Sequence, residues 1–295
     1  MARRRPAATH GLAVVDKPAG ITSHDVVGLC RRHFGERRVG HAGTLDPDAT
    51  GVLLVGVGNV TRLLRFLTVL GKTYTAEVVL GVETNTLDSS GAVTASHDMS
   101  HVTFAQVRDA IDSHLTGPIL QVPPMVSALK VGGRRLHELA REGIEVERAP
   151  RPVTVHRFLV EETDDPLVYR IQVTCSSGTY VRTIAADLGR LLGGGAHLRS
   201  LRRTACGSFD EAQANVADRA VLLSPVLAMR DYPAVSVTDD VAAMVRNGRI
   251  LASWEGEGPW AVCDLAGDLL AMYERVDEHR AKPAVVLPAS GAVAD

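Results

Sequence analysis

Gly40-His41-Ala42-Gly43-Thr44-Leu45-Asp46-Pro47-Asp48-Ala49-Thr50-Gly51 places one carboxylate, Asp46, between an apolar residue and a proline. Pro47 fixes its own φ and biases Asp46 away from the α region. Glycines at 40, 43 and 51 allow tight turns and close approach of another backbone or a ligand. The apolar run Val52-Leu53-Leu54-Val55 follows. The stretch reads as a rigid loop that enters a buried strand and presents an acid at a fixed place. Asp-Pro is also a good N-cap and first-helical pair, and most such aspartates are structural. Gly56, Gly58 and the β-branched residues between argue against a helix after Gly51, which weakens the cap reading without establishing catalysis.

Five other blocks accompany this one. Val14-Val15-Asp16-Lys17-Pro18-Ala19-Gly20-Ile21-Thr22-Ser23 lies upstream, and Gly71-Lys72-Thr73-Tyr74 opens an alternating stretch downstream. Pro123-Pro124-Met125-Val126-Ser127-Ala128-Leu129-Lys130, Cys175-Ser176-Ser177-Gly178-Thr179-Tyr180-Val181-Arg182-Thr183 and His197-Leu198-Arg199-Ser200-Leu201-Arg202-Arg203 follow. In this order the blocks closely resemble the TruB family of tRNA pseudouridine synthases, from about Gly11 to Arg203; the rest of the chain is matched more loosely.

That resemblance implies an α+β chain. A pseudouridine synthase catalytic fold with a mixed, largely antiparallel sheet would cover residues 1–230, with 123–152 as a mobile RNA-contacting arm. A small PUA-like β-domain would cover 231–295. The implied reaction breaks the bond from C1′ to N1 of a uridine, rotates the base and rebuilds the link at C5, without redox change, metal or organic cofactor. The implied substrate is the T-loop uridine of tRNA conventionally numbered 55, which must be flipped out at a cost of a few kcal/mol. Asp46 would initiate the reaction, by attack at C1′, by assisting loss of the base, or by attack on the pyrimidine. Arg182 would pair with it, since a guanidinium binds a carboxylate bidentately and favours its charged form. Tyr74 would stack on the base and its hydroxyl would assist proton removal at C5; stacking is worth about 1–3 kcal/mol per base. Tyr180 would be the second pocket aromatic, His41 would fill the space left by the flipped base, and Leu201 would line the pocket. Lys17 and Lys130 would support the loop or touch phosphate. Each residue also has a plain alternative: core packing for Tyr74, Tyr180 and Leu201, loop support for His41, and surface exposure for Arg182, Lys17 and Lys130.

Composition bounds these readings. Apolar residues make up 45% and charged residues 22% of 295, the balance of a soluble globular protein able to bury a large core. No apolar run is long enough to span a bilayer, and no apolar signal core follows the basic start Met-Ala-Arg-Arg-Arg-Pro, which reads as a short disordered arm in a cytoplasmic protein. Cys30, Cys175, Cys206 and Cys263 have neither redox-motif nor zinc-site spacing and read as buried thiols in a reducing compartment. The formal net charge is only −2, yet its distribution is uneven. Residues 1–72 carry eleven Lys/Arg against five Asp/Glu, residues 182–203 five against one, and residues 231–295 five against eleven. Basic charge lies with the candidate catalytic blocks, as phosphate contacts require, and the acidic C-terminal segment departs from the expectation for a strong RNA-binding module.

Local signals set the expected elements: a strand over 11–15, a helix from Thr22 and Asp25 to near Phe34, and a helix capped by Asn59 through Leu67. A strand over 72–80, a turn at Asp88-Ser89-Ser90-Gly91 and a helix from Thr103 to near Leu115 follow. Beyond lie a short helix around 134–141, paired strands over 153–160 and 168–175, and a helix from Gly178-Thr179 to Leu192. After a linker at Asp231-Tyr232-Pro233 come a helix capped by Thr238, a hairpin over 260–273 and a strand over 282–287. Strands and helices do not alternate cleanly, which favours α+β over a doubly wound sheet. The rival readings are a sister pseudouridine synthase with another RNA target and a non-catalytic RNA-binding or RNA-folding protein. A nucleotide-binding enzyme built on Gly56-x-Gly58 lacks both the G-x-G-x-x-G and the Walker A patterns. The expected partner is the T-arm of tRNA, bound by a monomer with no obligatory protein partner and no membrane.

Overall fold

A computed structural model of the chain describes residues 9–127 and 129–288; the expected N-terminal arm lies outside the described residues. By internal contact the chain divides into two compact units. The first is discontinuous: residues up to Pro47, Gly51–Val69, and everything from Cys206 onward. The second takes Asp48–Thr50 and Leu70–Ala205. The expected boundary at 230/231 therefore falls inside the first unit.

In the first unit, strand Gly11–Lys17 pairs antiparallel with Thr50–Val57, Leu12 opposite Gly56 and Val15 opposite Leu53. Thr50–Val57 also pairs with Val39–Ala42, and Gly11–Lys17 with the short Leu222–Leu223. Helix Ser23–Phe34 begins with the capping box expected from Thr22 and Asp25: the Thr22 hydroxyl accepts from the Asp25 amide at 3.1 Å and the Asp25 carboxylate accepts from the Thr22 amide at 2.9 Å. Hydrogen bonds from Thr22 hold the Asp25 carboxyl below the usual carboxylate range. The helix buries Val26, Val27 and Cys30 against Ala13, Val15, Leu53 and Val55. Asn59 does not cap a helix. Val57 holds the N-cap position of a 3₁₀ turn, Gly58–Leu63, that leads into helix Leu64–Thr68, and the Asn59 side chain instead accepts from Arg38 at 3.1 Å.

The C-terminal part of this unit has its own five-stranded sheet, in the order Ala234–Ser236, Trp260–Cys263, Leu269–Arg275, Arg280–Val286, Leu251–Ala252. Trp260, Tyr273 and Ala281 form its core with Ala242 and Val245 of helix Asp239–Arg246. Thr238 stands at the N-cap of that helix, but its side chain makes no capping bond. The segment is fastened within its unit: the Tyr232 hydroxyl donates to the Phe66 carbonyl at 2.7 Å, Arg65 pairs with Glu274 at 2.7 Å, and Arg62 donates to the Val286 carbonyl at 2.7 Å.

The second unit is built on strands in the order Ala196–Cys206, Lys72–Leu80, Val168–Cys175, Arg151–Glu162, Gly117–Gln121. Lys72–Leu80 alternates buried and half-buried residues along its whole length and pairs antiparallel with Val168–Cys175, Tyr74 opposite Val173. Helix Phe104–Ala110 starts at a Thr103/Gln106 capping box and runs into a π-helical turn, Ile111–Leu115. Strand Gly117–Gln121 was not expected, because Gly117-Pro118 reads as a stop. Pro118 is tolerated because its strand is the last of the order, where a missing N–H costs no ladder bond on the open side. Helix Val181–Leu191 begins after Tyr180 rather than at Gly178, since the Thr179 hydroxyl turns back to the Ser176 carbonyl at 2.9 Å. Within 123–152 lie a small hairpin, Lys130–Val131 with Arg134–Arg135, and helix Leu136–Arg141. All four cysteines are buried and free, and burial pushes the Cys30 and Cys175 thiols up to about 11. No helix among the described residues is long and apolar enough to cross a membrane.

Candidate active site

Asp46 sits half-buried in the loop between strands Val39–Ala42 and Thr50–Val57. The loop is held by its backbone on both sides of the carboxylate. The Ser23 hydroxyl donates to the Leu45 carbonyl at 3.1 Å and accepts from the Leu45 amide at 2.9 Å. On the other side, the Pro47 carbonyl accepts from the Gly20 amide at 3.0 Å and from the Lys17 ammonium at 2.7 Å. Gly43 and Gly51, at φ +83° and +99°, supply the left-handed turns that enter and leave the loop.

Lys17 has no exposed surface, and its ammonium also donates to the Pro18 and Ile21 carbonyls at 2.8 and 2.7 Å. That corrects the phosphate-contact alternative: a cation buried among carbonyls supports the loop and offers nothing to solvent. Lys17→Met should lower stability by roughly 2–4 kcal/mol, because it removes three charge-assisted hydrogen bonds to the Pro18, Ile21 and Pro47 carbonyls. Urea unfolding measures this, and an unchanged midpoint would show that the loop does not depend on Lys17. His41 occupies strand Val39–Ala42 opposite Val55 and is half-buried.

The remaining expected residues lie in the second unit. Tyr74 is buried in strand Lys72–Leu80, 9% exposed. Tyr180 is half-buried at the N-cap of helix Val181–Leu191, and its backbone is fixed by one side chain. Gln121, itself buried, accepts from the Tyr180 amide at 2.9 Å and donates to the Tyr180 carbonyl at 3.1 Å. Arg182 is not a surface residue: it is 5% exposed. Its guanidinium donates to the Thr86 carbonyl at 3.0 Å and the Val126 carbonyl at 2.9 Å, and lies 3.4 Å from the Asp88 carboxylate. Asp88 is fixed in turn, accepting from the Thr86 hydroxyl at 2.6 Å and the Ser90 amide at 3.1 Å. Leu87, at φ +64°, is the one non-glycine with a left-handed backbone among the described residues. Such strain persists only where the surroundings over-determine it, and here it sets the turn that presents Asp88.

Leu201 is half-buried and lines a cavity of about 220 Å³ with Asp48, Thr50, Thr75 and Glu77. Lys130 opens the strand Lys130–Val131, and its side chain lies outside the described residues. Gln121 and Asp88 were missed by sequence reasoning. Asp88 stands in a stretch read only as a turn, and Gln121 in a strand not expected. No described group of His, Cys, Asp and Glu is arranged to hold a metal ion.

Comparison with known proteins meets this geometry. Residues 31–181 match the family model of the TruB family pseudouridylate synthase N-terminal domain, and 182–223 that of a tRNA pseudouridylate synthase B C-terminal domain. Residues 232–288 match a tRNA pseudouridine synthase II C-terminal model. The chain is 43% identical to tRNA pseudouridine synthase B of Mycobacterium tuberculosis over 294 residues, covering 95% of this chain and 97% of that one. It is 50% identical to the Symbiobacterium thermophilum protein of the same name over 240 residues, covering 79% and 80%. Among solved structures, an H/ACA RNP bound to a substrate RNA containing 2′-deoxyuridine matches in fold with a TM-score of 0.70 at 22% identity, over 94% of this chain and 85% of that one. The class is that of the pseudouridine synthases. Within it, the chain belongs to the TruB family.

Proposed function

We propose that this chain isomerises uridine to pseudouridine in the T-loop of tRNA, at the position conventionally numbered 55, with Asp46 as the initiating carboxylate. The observation that carries the proposal is the loop itself: Ser23 on one side and Gly20 with Lys17 on the other hold the backbone around a single half-buried acid. A nucleophile or electrostatic stabiliser must be fixed to within a fraction of an ångström, and such backbone clamps do that.

The C1′–N1 bond breaks with the electron pair leaving on the uracil, and the electron-deficient sugar carbon is met by the Asp46 carboxylate, by covalent attack or by charge stabilisation. The uracil turns and C5 bonds to C1′, with release of the Asp46 carboxylate where it had bonded to that carbon; the proton on C5 is lost as N1 gains one, so atoms and charge balance. The stated roles of the other residues follow the family likeness. Arg182 orients the carboxylate, Tyr74 stacks on the base and takes part in removing the C5 proton, and Tyr180, His41 and Leu201 shape the pocket. Residues 1–230 form the catalytic part, with 123–152 as an RNA-contacting arm, and 231–295 form the small β-domain. The protein acts on the T-arm as a cytoplasmic monomer without metal or organic cofactor. Free, buried cysteines fit a reducing compartment. Incubation with unmodified tRNA and site-resolved pseudouridine mapping tests the reading: modification confined to the T-loop uridine is expected, and modification only of another RNA, or of none, would overturn it.

A further inference from the structure

Glu77 stands among three arginines, and Asp48 is the other carboxylate on the same cavity. Glu77 lies in strand Lys72–Leu80 directly opposite Arg170 of strand Val168–Cys175, and its Oε2 lies 3.8 Å from Nη1 of Arg199. Arg202 and Arg170 line the same cavity of about 220 Å³ as Glu77, together with Leu201, Thr75 and Asp48. Glu77 is 28% and Arg199 48% exposed, so neither charge lies in a closed core; Glu77 lines the cavity and Arg199 reaches it through Glu77. The groove is tied to the catalytic loop through the chain, because Asp48 stands two residues after Asp46.

We propose that Glu77 is a specificity-determining residue: it makes the arginine patch accept a phosphate only when the same nucleotide brings a hydrogen-bond donor. The proposal rests on the tRNA reading above. Arg170, Arg199 and Arg202 would attract any nucleic-acid backbone, since phosphate affinity is independent of sequence. Glu77 opposes this. A phosphate that enters the groove shares the guanidinium groups with a carboxylate, and the two anions repel. A donor on the bound nucleotide converts that repulsion into a charge-assisted hydrogen bond. Three kinds of group on a nucleotide can supply it: the ribose 2′-hydroxyl, which is what tells RNA from DNA, an exocyclic base amine, and the ring imino N–H of guanine or uracil. A backbone without the donor leaves the repulsion between Glu77 and the phosphate uncompensated, and a site built to hydrogen-bond a donor rejects the analogue that lacks it. Glu77 thus weakens binding overall and sharpens selection.

The test measures binding of T-arm hairpins to the wild-type protein, Glu77→Gln, Glu77→Ala and Arg170→Gln at several salt concentrations. One set of hairpins carries a single 2′-deoxy nucleotide at each loop position. A second replaces one amino-bearing base at a time by its deaminated analogue, and a third blocks one ring imino group at a time with N1-methylguanosine or N3-methyluridine. The wild type should lose roughly fivefold or more at one position of one set, and that set names the donor. Both Glu77 variants should bind the unmodified hairpin more tightly, with a salt slope steeper by about 0.7–0.9, the value of one further phosphate contact. In Glu77→Ala the penalty at that position should vanish. Arg170→Gln should weaken all hairpins alike and flatten the slope by a similar amount. Thermal melts confirm that the variants fold. The proposal is overturned if the wild type shows no penalty in any of the three sets, if Glu77→Ala retains it, or if the Glu77 variants bind no more tightly. Wild-type turnover on the unmodified hairpin is read separately: its failure sinks the tRNA reading, whereas turnover with an unrelieved penalty sinks only the role of Glu77.

Discussion

An Asp46→Asn protein should fold and bind tRNA and form no measurable pseudouridine. Turnover should fall by at least about 10⁴-fold, the scale on which loss of a nucleophile is felt. The amide keeps the shape of the side chain and loses its charge and nucleophilicity. The fold should survive because Ser23, Gly20 and Lys17 hold the loop through the backbone of Leu45 and Pro47, and those bonds are indifferent to the change. Affinity for tRNA should stay within about threefold, since a single acid removed from a polyanion's path does not weaken the phosphate contacts. Single-turnover assays with radiolabelled tRNA decide it, and near-normal conversion would refute the assignment.

Arg182→Met should cost rate and stability together while leaving tRNA affinity largely intact. The guanidinium is 5% exposed and holds the Thr86 and Val126 carbonyls and the Asp88 carboxylate, so it has little surface to give a phosphate. Its loss takes this donor from the Thr86 and Val126 carbonyls and the cation from Asp88, which keeps its bonds from Thr86 and Ser90, worth together roughly 2–4 kcal/mol of unfolding free energy. On the role proposed for Arg182, the single-turnover rate at saturating tRNA should drop by about 100-fold or more, because loss of an orienting cation disturbs the geometry of a reacting carboxylate. Arg182→Lys retains the charge without the planar fork, so it should recover part of the stability and little of the rate. If affinity collapses and the saturated rate holds, Arg182 is a phosphate contact instead.

The parts of the fold that could be read in advance are those decided within a few residues. Thr22 with Asp25 and Thr103 with Gln106 mark helix starts because both partners lie in one turn. Lys72–Leu80 shows its boundaries because one face is buried and the other is not. What could not be read was decided by distant chain. Ala196–Cys206 is rich in arginine and its burial does not alternate, so its sequence carries no strand period. Gly117–Gln121 becomes a strand only because Arg151–Val155 lies beside it. Asn59 looked like a cap until Arg38, twenty-one residues earlier, claimed its side-chain oxygen. The candidate site divides in the same way. Asp46, Tyr74 and Arg182 announce themselves in short motifs, whereas Asp88 and Gln121 meet Arg182 and Tyr180 across separations of 94 and 59 residues, and nothing local betrays them.

The discontinuous unit has a consequence for the order in which the protein is made. Strand Gly11–Lys17 takes partners from beyond the second unit: its register with Leu222–Leu223, and the backbone bonds joining Val14 and Asp16 to Asn215, at 3.1 and 2.9 Å, require chain made after residues 70–205. Residues 70–205, in contrast, are contiguous and can fold while translation continues. The loop that carries Asp46 therefore belongs to the portion finished late, and a prematurely terminated chain would hold the motif without the structure that aims it. Proteolytic protection of stalled nascent chains of increasing length would show the central portion resistant first, and the N-terminal strand resistant only after Leu223 has emerged.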